Sequence, residues 1–474
     1  MALSRRRFLQ LTGASVCAGA VYPALKLEAA TGPSQPLPIP PLLEYRHGRP
    51  LFLTLQGTHW AFSQNAAPVS VWGVNGRYLG PTVRVKRGDN VKLIYSNRLD
   101  EAVSMRVQGL RVPGVLDGGP AWLMKPRKEW APILPVRQAA STCWYHADTQ
   151  GKMAEHVYRG LAGLWLVDDE NTRDLRLPKH YGVDDIPLIL QDKRFNPFGE
   201  PKYEAAPGGF IGNTLLINGV QDPFINVSRG WVRLRLVNAS NARRLLLQMS
   251  DARSMYVIAG DAGLLNAPVE VKQFSLAPGE RREILIDMSN GDEVTLTAGE
   301  SAGLVDRIKG LFEDSSILVS SQVLTLRPEG LLPLMTDKLP AHLPAEEGGV
   351  SNIERTRTLR LGDVASPGIN GAVWNEGRVD IDTRFAASER WIVHALTPQP
   401  FTLHGAMFRI QSVNGQPPKA EDAGWKDTVW VDSEVELIVR FDQTAGADHP
   451  FRYHSGILEM ADRGTMGQFT VQQA

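Results

Sequence analysis

The chain has 474 residues, which at roughly 150 residues per domain suggests about three domains. Lysine plus arginine and aspartate plus glutamate both number 51, so there is no bulk basic charge to track a nucleic-acid backbone. That balance excludes nucleic acid as a partner.

The first element in chain order is Ser4-Arg5-Arg6-Arg7-Phe8-Leu9-Gln10, followed by a mildly apolar stretch rich in glycine and alanine, then Lys26 and the small residues Ala29 and Ala30. This is the pattern of a twin-arginine export signal over residues 1–29, and it predicts delivery to the periplasm by the twin-arginine translocase. Gln10, Thr12, Ser15 and Pro23 interrupt the apolar run, which argues against a membrane anchor, so no membrane span is expected in the mature protein. Cleavage after Ala29 would remove Arg5, Arg6, Arg7 and Lys26 but only one acid, Glu28, leaving 47 bases, 50 acids and a net charge of −3. Cys17 falls within the signal. Cys143 then stands alone, and no intrachain disulfide is possible.

Beyond the signal, 44 glycines and 32 prolines punctuate short runs of Val, Ile, Leu and Thr, and helical periodicity is scarce, so the chain reads as all-β. Residues 80–95 alternate apolar and charged side chains on both sides of Gly88-Asp89, which predicts a hairpin with one buried face. Asn-Gly turns recur at Asn75-Gly76, Asn218-Gly219 and Asn370-Gly371, each ahead of a strand pair. A repeat near 150 residues fits duplicated β-sandwiches, linked through the charged stretch 168–185 and the proline-rich stretch 327–349.

Three segments are more specific: Asn75-Gly76-Arg77-Tyr78-Leu79-Gly80-Pro81-Thr82, Trp144-Tyr145-His146 with Gly160-Leu161-Ala162-Gly163 after it, and Tyr453-His454-Ser455-Gly456-Ile457-Leu458-Glu459. In this order they resemble the multicopper oxidases, laccases among them, across essentially the whole mature chain. The resemblance implies three cupredoxin-like Greek-key β-sandwich domains, placed at 33–169, 181–326 and 353–474, with the first and third in contact.

In that family four motifs supply ten histidines and one cysteine to a blue copper and a trinuclear copper cluster. Here the first His-x-His is Arg106-Val107-Gln108, and arginine cannot ligate a metal. The second is His146-Ala147-Asp148. The third runs from Gln399 and Pro400 to His404 and keeps only the last histidine. The fourth is His454-Ser455-Gly456, with Met460 and Thr465 where the next histidine and the axial methionine would stand. Every blue-copper ligand is replaced, and His146, His404 and His454 alone survive. The resemblance therefore implies no catalytic residue, no metal ligand, no cofactor and no enzymatic activity.

The twin-arginine start, residues 424–432, and Val271-Lys272-Gln273 with residues 276–283 resemble a copper-free branch of the same family that serves bacterial cell division. This implies a periplasmic protein recruited to the division septum, which binds division-machinery proteins and stabilises or protects the divisome under stress. The alternative is a mononuclear metal-binding oxidoreductase or hydrolase using Asp148, His404 and His454, since two imidazoles and a carboxylate can hold zinc or iron. Against it stands the expectation that Arg106 and Asp148 pair and fill the vacated cluster. His47, His59, His156, His180, His342, His394 and His449 lack metal-ligand spacing and are expected on the surface or in loops. The tryptophans are expected in cores or at domain interfaces.

Overall fold

Short strands dominate the regular structure; Leu51–Trp60 and Asn90–Asn97 open on alternating buried and exposed residues, because one face of the sheet meets a core and the side-chain period is two, whereas Ser141–Ala147 and Asp185–Lys193 are buried along their whole length. The computed structural model describes residues 35–64, 66–299, 318, 320–330, 338–346, 348 and 352–473. The expected signal at 1–29 lies outside them, as does part of the 327–349 linker. Among the described residues six sheets pack in three facing pairs, each pair around its own apolar cluster.

In the first sandwich one sheet has the order Ile133–Pro135, Asn90–Asn97, Leu51–Trp60, Val69–Val74, Arg77–Tyr78. Its partner has the order Leu42–Glu44, Thr82–Lys86, Ala162–Asp168, Ser141–Ala147, Met105–Gln108. Leu53, Leu93, Tyr95, Val83 and Trp165 meet between them. In the second sandwich Asp185–Lys193, Trp231–Asn238 and Arg281–Asp287 lie side by side and face a sheet built on Pro223–Val227, Gln322–Pro328 and Val294–Ala298. In the third, Ser388–Ala395 and Glu434–Arg440 face Met466–Gln472, Phe451–Ser455 and Gln399–Leu403 across a core centred on Trp391. The fold is all-β and cupredoxin-like.

The Asn-Gly turns show why the module repeats. Asn75, Asn218 and Asn370 have φ of 56°, 50° and 55°, and the glycines after them are also left-handed. Asparagine tolerates this region and glycine favours it. Each asparagine side chain also ties its turn to an earlier strand of its own sandwich. Asn75 Oδ1 accepts from Thr54 N at 2.8 Å, Asn218 Oδ1 from Ile189 N at 2.8 Å and Asn370 Oδ1 from Arg360 N at 2.8 Å. The amide nitrogens donate two residues earlier, to Phe52 O, Pro187 O and Thr358 O.

Two local expectations are corrected. Residues 80–95 do not form a hairpin, since Thr82–Lys86 pairs with Leu42–Glu44 and Ala162–Asp168, whereas Asn90–Asn97 pairs with Leu51–Trp60 and Ile133–Pro135. The turn at Gly88, φ 98°, carries the chain from one sheet to the facing one, so Val83 and Val85 pack against Val91 and Leu93 across the core. Residues Gln35–Pro36, within the stretch assigned to the first sandwich, add a parallel strand to Pro223–Val227 of the second, and Leu37 enters that core. No helix among the described residues is long and apolar enough to cross a membrane.

Candidate functional site

Met105–Gln108 pairs antiparallel with Ser141–Ala147, placing Arg106 opposite His146. Alternation sends Arg106 and Gln108 to one face, and His146 to the same side as Asp148. In the third sandwich Phe451–Ser455 lies between Gln399–Leu403 and Met466–Gln472, so Arg452 and His454 share a face. His404 N donates to Arg452 O at 2.9 Å, which sets His404 beside them. The surviving histidines, with Arg106 and Asp148 at former ligand positions, are thus assembled from both sandwiches at one buried interface.

Charge fills this interface. Arg106 Nε donates to Asp148 Oδ2 at 2.6 Å, as the sequence suggests. The same oxygen accepts from Arg452 Nη2, while Arg106 Nη1 donates to Asp117. Two guanidiniums and two carboxylates therefore sum to zero, and all four side chains are buried. Burial would raise the Asp148 carboxyl, but Arg452 and then Arg106 outweigh it and hold it at about 2. Asp117 is pushed up to about 6 by burial, with Asp148 adding to the rise against the pull of Arg106 and Arg452. Burial brings Arg452 down to about 10, so it remains a cation at neutral pH. Gly119, φ 76°, closes the wall: a Cβ there would lie 2.5 Å from Arg106 Nη2 and 2.9 Å from Arg452 Nη2.

The imidazoles are neutral. His454 Nδ1 donates to Ser455 O at 2.6 Å, leaving Nε2 to accept from His404 Nε2 at 2.8 Å. His146 Nδ1 donates to Ala147 O at 2.9 Å, its ring stacks on Trp144 at 4.1 Å, and its Nε2 is buried without a partner. Burial takes His146 and His454 down to about 4 and His404 well below its ordinary value.

Copper fits neither former site. At the blue-copper position Gln399 Nε2 donates to Gly362 O at 2.8 Å, Ser455 Oγ accepts from Ile457 N at 3.2 Å, and Thr465 Oγ1 accepts from Gly368 N at 3.1 Å. The thiolate is replaced by the Ser455 hydroxyl, the two imidazoles by the Gln399 amide and the Met460 thioether, and the axial methionine by the Thr465 hydroxyl, with Gln399, Ser455 and Thr465 already engaged by the backbone. At the cluster position Arg106 and Arg452 project into the space the metal would need. Of the set Asp148, His404 and His454, the structure brings the two histidines into contact, but Asp148 is bound to both arginines. Cys143 is buried among Gln138 and Ser141, with burial pushing its thiol up to about 11.

Several members of the site escape sequence reasoning. Arg452 lies two residues before a recognised motif, and Asp117 sits in a loop with no motif at all. His156, expected at the surface, is buried in the helix Met153–Arg159, with Nδ1 3.0 Å from Thr149 Oγ1 and its ring beside Trp72. The segments 276–283 and 424–432 meet at a second charged cluster: Arg281 holds Asp427 through two bonds of 2.6 and 2.5 Å, and Lys426 Nζ lies 3.0 Å from Glu280 and 3.3 Å from Asp261. Gln108 of the first sandwich joins it, donating to Asp427 at 3.2 Å and Thr428 at 3.0 Å.

Family models described as multicopper oxidase match residues 54–172 and 336–474. The chain is similar to a bacterial laccase-like multicopper oxidase CueO from Ochrobactrum sp., with a TM-score of 0.85 and 33% identity, covering 92% of this chain and 100% of that one. A similar match is the McoA multicopper oxidase 2F4 variant from Aquifex aeolicus, with a TM-score of 0.83 and 26% identity over 93% of this chain and 100% of that one. Curated relatives named cell division protein FtsP are closer in sequence. The one from Pectobacterium atrosepticum is 59% identical over 100% of both chains, and the one from Escherichia coli K12 is 60% identical over 99% of both. The chain therefore belongs to the multicopper oxidase family, in the branch of the cell division protein FtsP.

Proposed function

We propose that this chain is a non-enzymatic periplasmic cell-division protein, exported by the twin-arginine translocase and recruited to the septum, where it stabilises or protects the divisome under stress. It binds division-machinery proteins through its surface and uses no catalytic residue, cofactor or metal ligand. The relatives named cell division protein supply the biological context. The observation that carries the non-enzymatic part is the neutral cluster of Arg106, Arg452, Asp117 and Asp148 at the place where the family's oxidases hold copper. The domain boundaries proposed with this reading are 33–169, 181–326 and 353–474, with Gln35–Pro36 lent to the second sandwich.

A mononuclear metal enzyme built on Asp148, His404 and His454 is the second reading, and the bare Nε2 of His146 beside that set is what favours it. It requires Asp148 to leave two guanidiniums, so that Asp117 alone faces two buried cations, a change that costs several kcal/mol. Complementation separates the two. A strain lacking the protein is expected to divide normally in mild conditions and to form filaments or lyse under heat, low salt or oxidative stress. A well-folded His146→Ala, His404→Ala, His454→Ala variant should restore division. Failure of that variant to rescue would support the metal enzyme, and a deletion strain without any division defect would remove the scaffold reading.

A further inference from the structure

Between the first and second sandwiches, under the linker that joins them, lies a cavity of about 370 Å³. Its floor is charged but internally balanced. Arg235 chelates Asp185, Arg233 is bound to Glu283, and Arg84 faces Asp168 at 3.2 Å and Asp185 at 3.6 Å. Its walls are apolar, formed by Val167, Leu175, Leu177 and Leu264. Its rim is cationic. Lys86 and Arg87 come from the end of one strand, Arg173 and Lys179 from the linker, and all four are exposed and without an ion pair among the described residues. The rim acids are Asp169, whose carboxylate accepts from Thr172 N at 2.9 Å and Ala140 N at 3.0 Å, and Glu170, so four cations face two carboxylates.

We infer that this cavity is a docking site for an extended acidic peptide segment of a partner protein, which seats one apolar side chain between Leu175 and Leu264 and sets its carboxylates on the Lys86, Arg87, Arg173 and Lys179 rim. The placement of charge selects a chain over a small carboxylate. Because the floor is already neutralised, a single anion entering the cavity finds no free cation there, whereas a chain crossing the mouth meets cations on both sides. Surface complementarity of this kind steers and orients a partner. The inference rests on the scaffold reading insofar as it supplies that protein with a partner surface.

Anisotropy of a labelled hexapeptide of alternating leucine and glutamate, titrated with the full-length protein, tests it. Saturable binding is expected, weakening about ten-fold from low to high salt. Arg87→Glu combined with Arg173→Glu should cost about ten-fold or more in affinity. Arg355→Glu, on an exposed strand of the third sandwich, should cost nothing. A hexapeptide of alternating serine and glutamate should bind about ten-fold more weakly, since it has no group for the walls. Equal binding by the rim variant, equal binding of the serine peptide, or complete displacement by octanoate would overturn the docking site. These outcomes do not depend on whether the deletion strain divides, so the site and the division role can fail separately.

Discussion

Asp148 Oδ2 accepts from two guanidiniums that belong to different sandwiches, so one carboxylate bridges both cations of the former cluster. Replacing it with asparagine leaves Arg106 and Arg452 to share Asp117 in a buried space. Asp148→Asn is expected to lower stability by about 3–5 kcal/mol, read as a drop in the denaturant midpoint. Adding Arg452→Met to it should cost less than the sum of the two single changes, because the second removes the stranded cation. The histidines impose a pH dependence of definite sign. His146 and His454 titrate at about 4 in the fold and near 6.5 when unfolded, so the unfolded chain binds protons first and stability falls as pH drops from about 6.5 to 4. Asp117 and Asp462, raised to about 6 and about 7, work in the opposite direction, while His404 and His156, both lowered, act with His146 and His454. The His146→Ala, His404→Ala, His454→Ala variant should therefore show a flatter stability profile over that range than the wild type.

At the same scale, Ser455→Cys should leave the protein colourless after incubation with copper, since the Gln399 amide is held by Gly362 and Met460 offers no imidazole. An intense blue absorption would contradict this. The lost ligands were readable because each falls inside a motif of fixed spacing. Arg452 was not, because Phe451-Arg452-Tyr453 looks like any alternating strand. Its partner Asp148 lies 304 residues away in sequence, and only the contact between the two sandwiches reveals the pair.

Among the elements, the Asn-Gly turns repay comparison because one device recurs under different burial. Asn218 is 3% exposed, sits at φ 50° and makes bonds to Ile189, Pro187 and Pro38, the last tying in the N-terminal segment. Asn218→Ala strands buried backbone groups and is expected to cost about 2–3 kcal/mol. The exposed Asn414, which makes a fourth turn of this kind that the sequence reading passed over, should cost only about 1 kcal/mol on the same change. Thermal denaturation of both variants would check the ranking. These turns were legible because their chemistry is local. The strand partners around Gly88 were not, because alternation fixes which face of a strand is buried and says nothing about which strand lies beside it.

For the whole molecule the decisive feature is that charge, not only apolar packing, joins the three sandwiches. Arg281 is fully buried in the second, and it holds Asp427 of the third through two bonds while its Nε donates to Thr142 O of the first at 3.1 Å. Gln108 completes the junction from the first sandwich to Asp427. Burial works against the Arg281 charge, yet Asp427 and Asp261 more than compensate, so the guanidinium stays protonated throughout the ordinary pH range. Three domains of this size could unfold in separate steps. A junction of buried ions opposes that, because separating the second domain from the third parts Arg281 from Asp427, and separating the first from the third takes Asp148 from Arg452. We therefore expect a single calorimetric transition in the wild type. Arg281→Met removes the cation that all three share and leaves Asp427 with hydrogen bonds from neutral groups only, an expected loss of about 3–5 kcal/mol. Arg281→Lys should recover little, because a single ammonium cannot reproduce both the planar pair of bonds to Asp427 and the reach to Thr142. In calorimetry the methionine variant should split the transition into at least two. A single unshifted transition would show that apolar contacts, not this ion junction, hold the domains together.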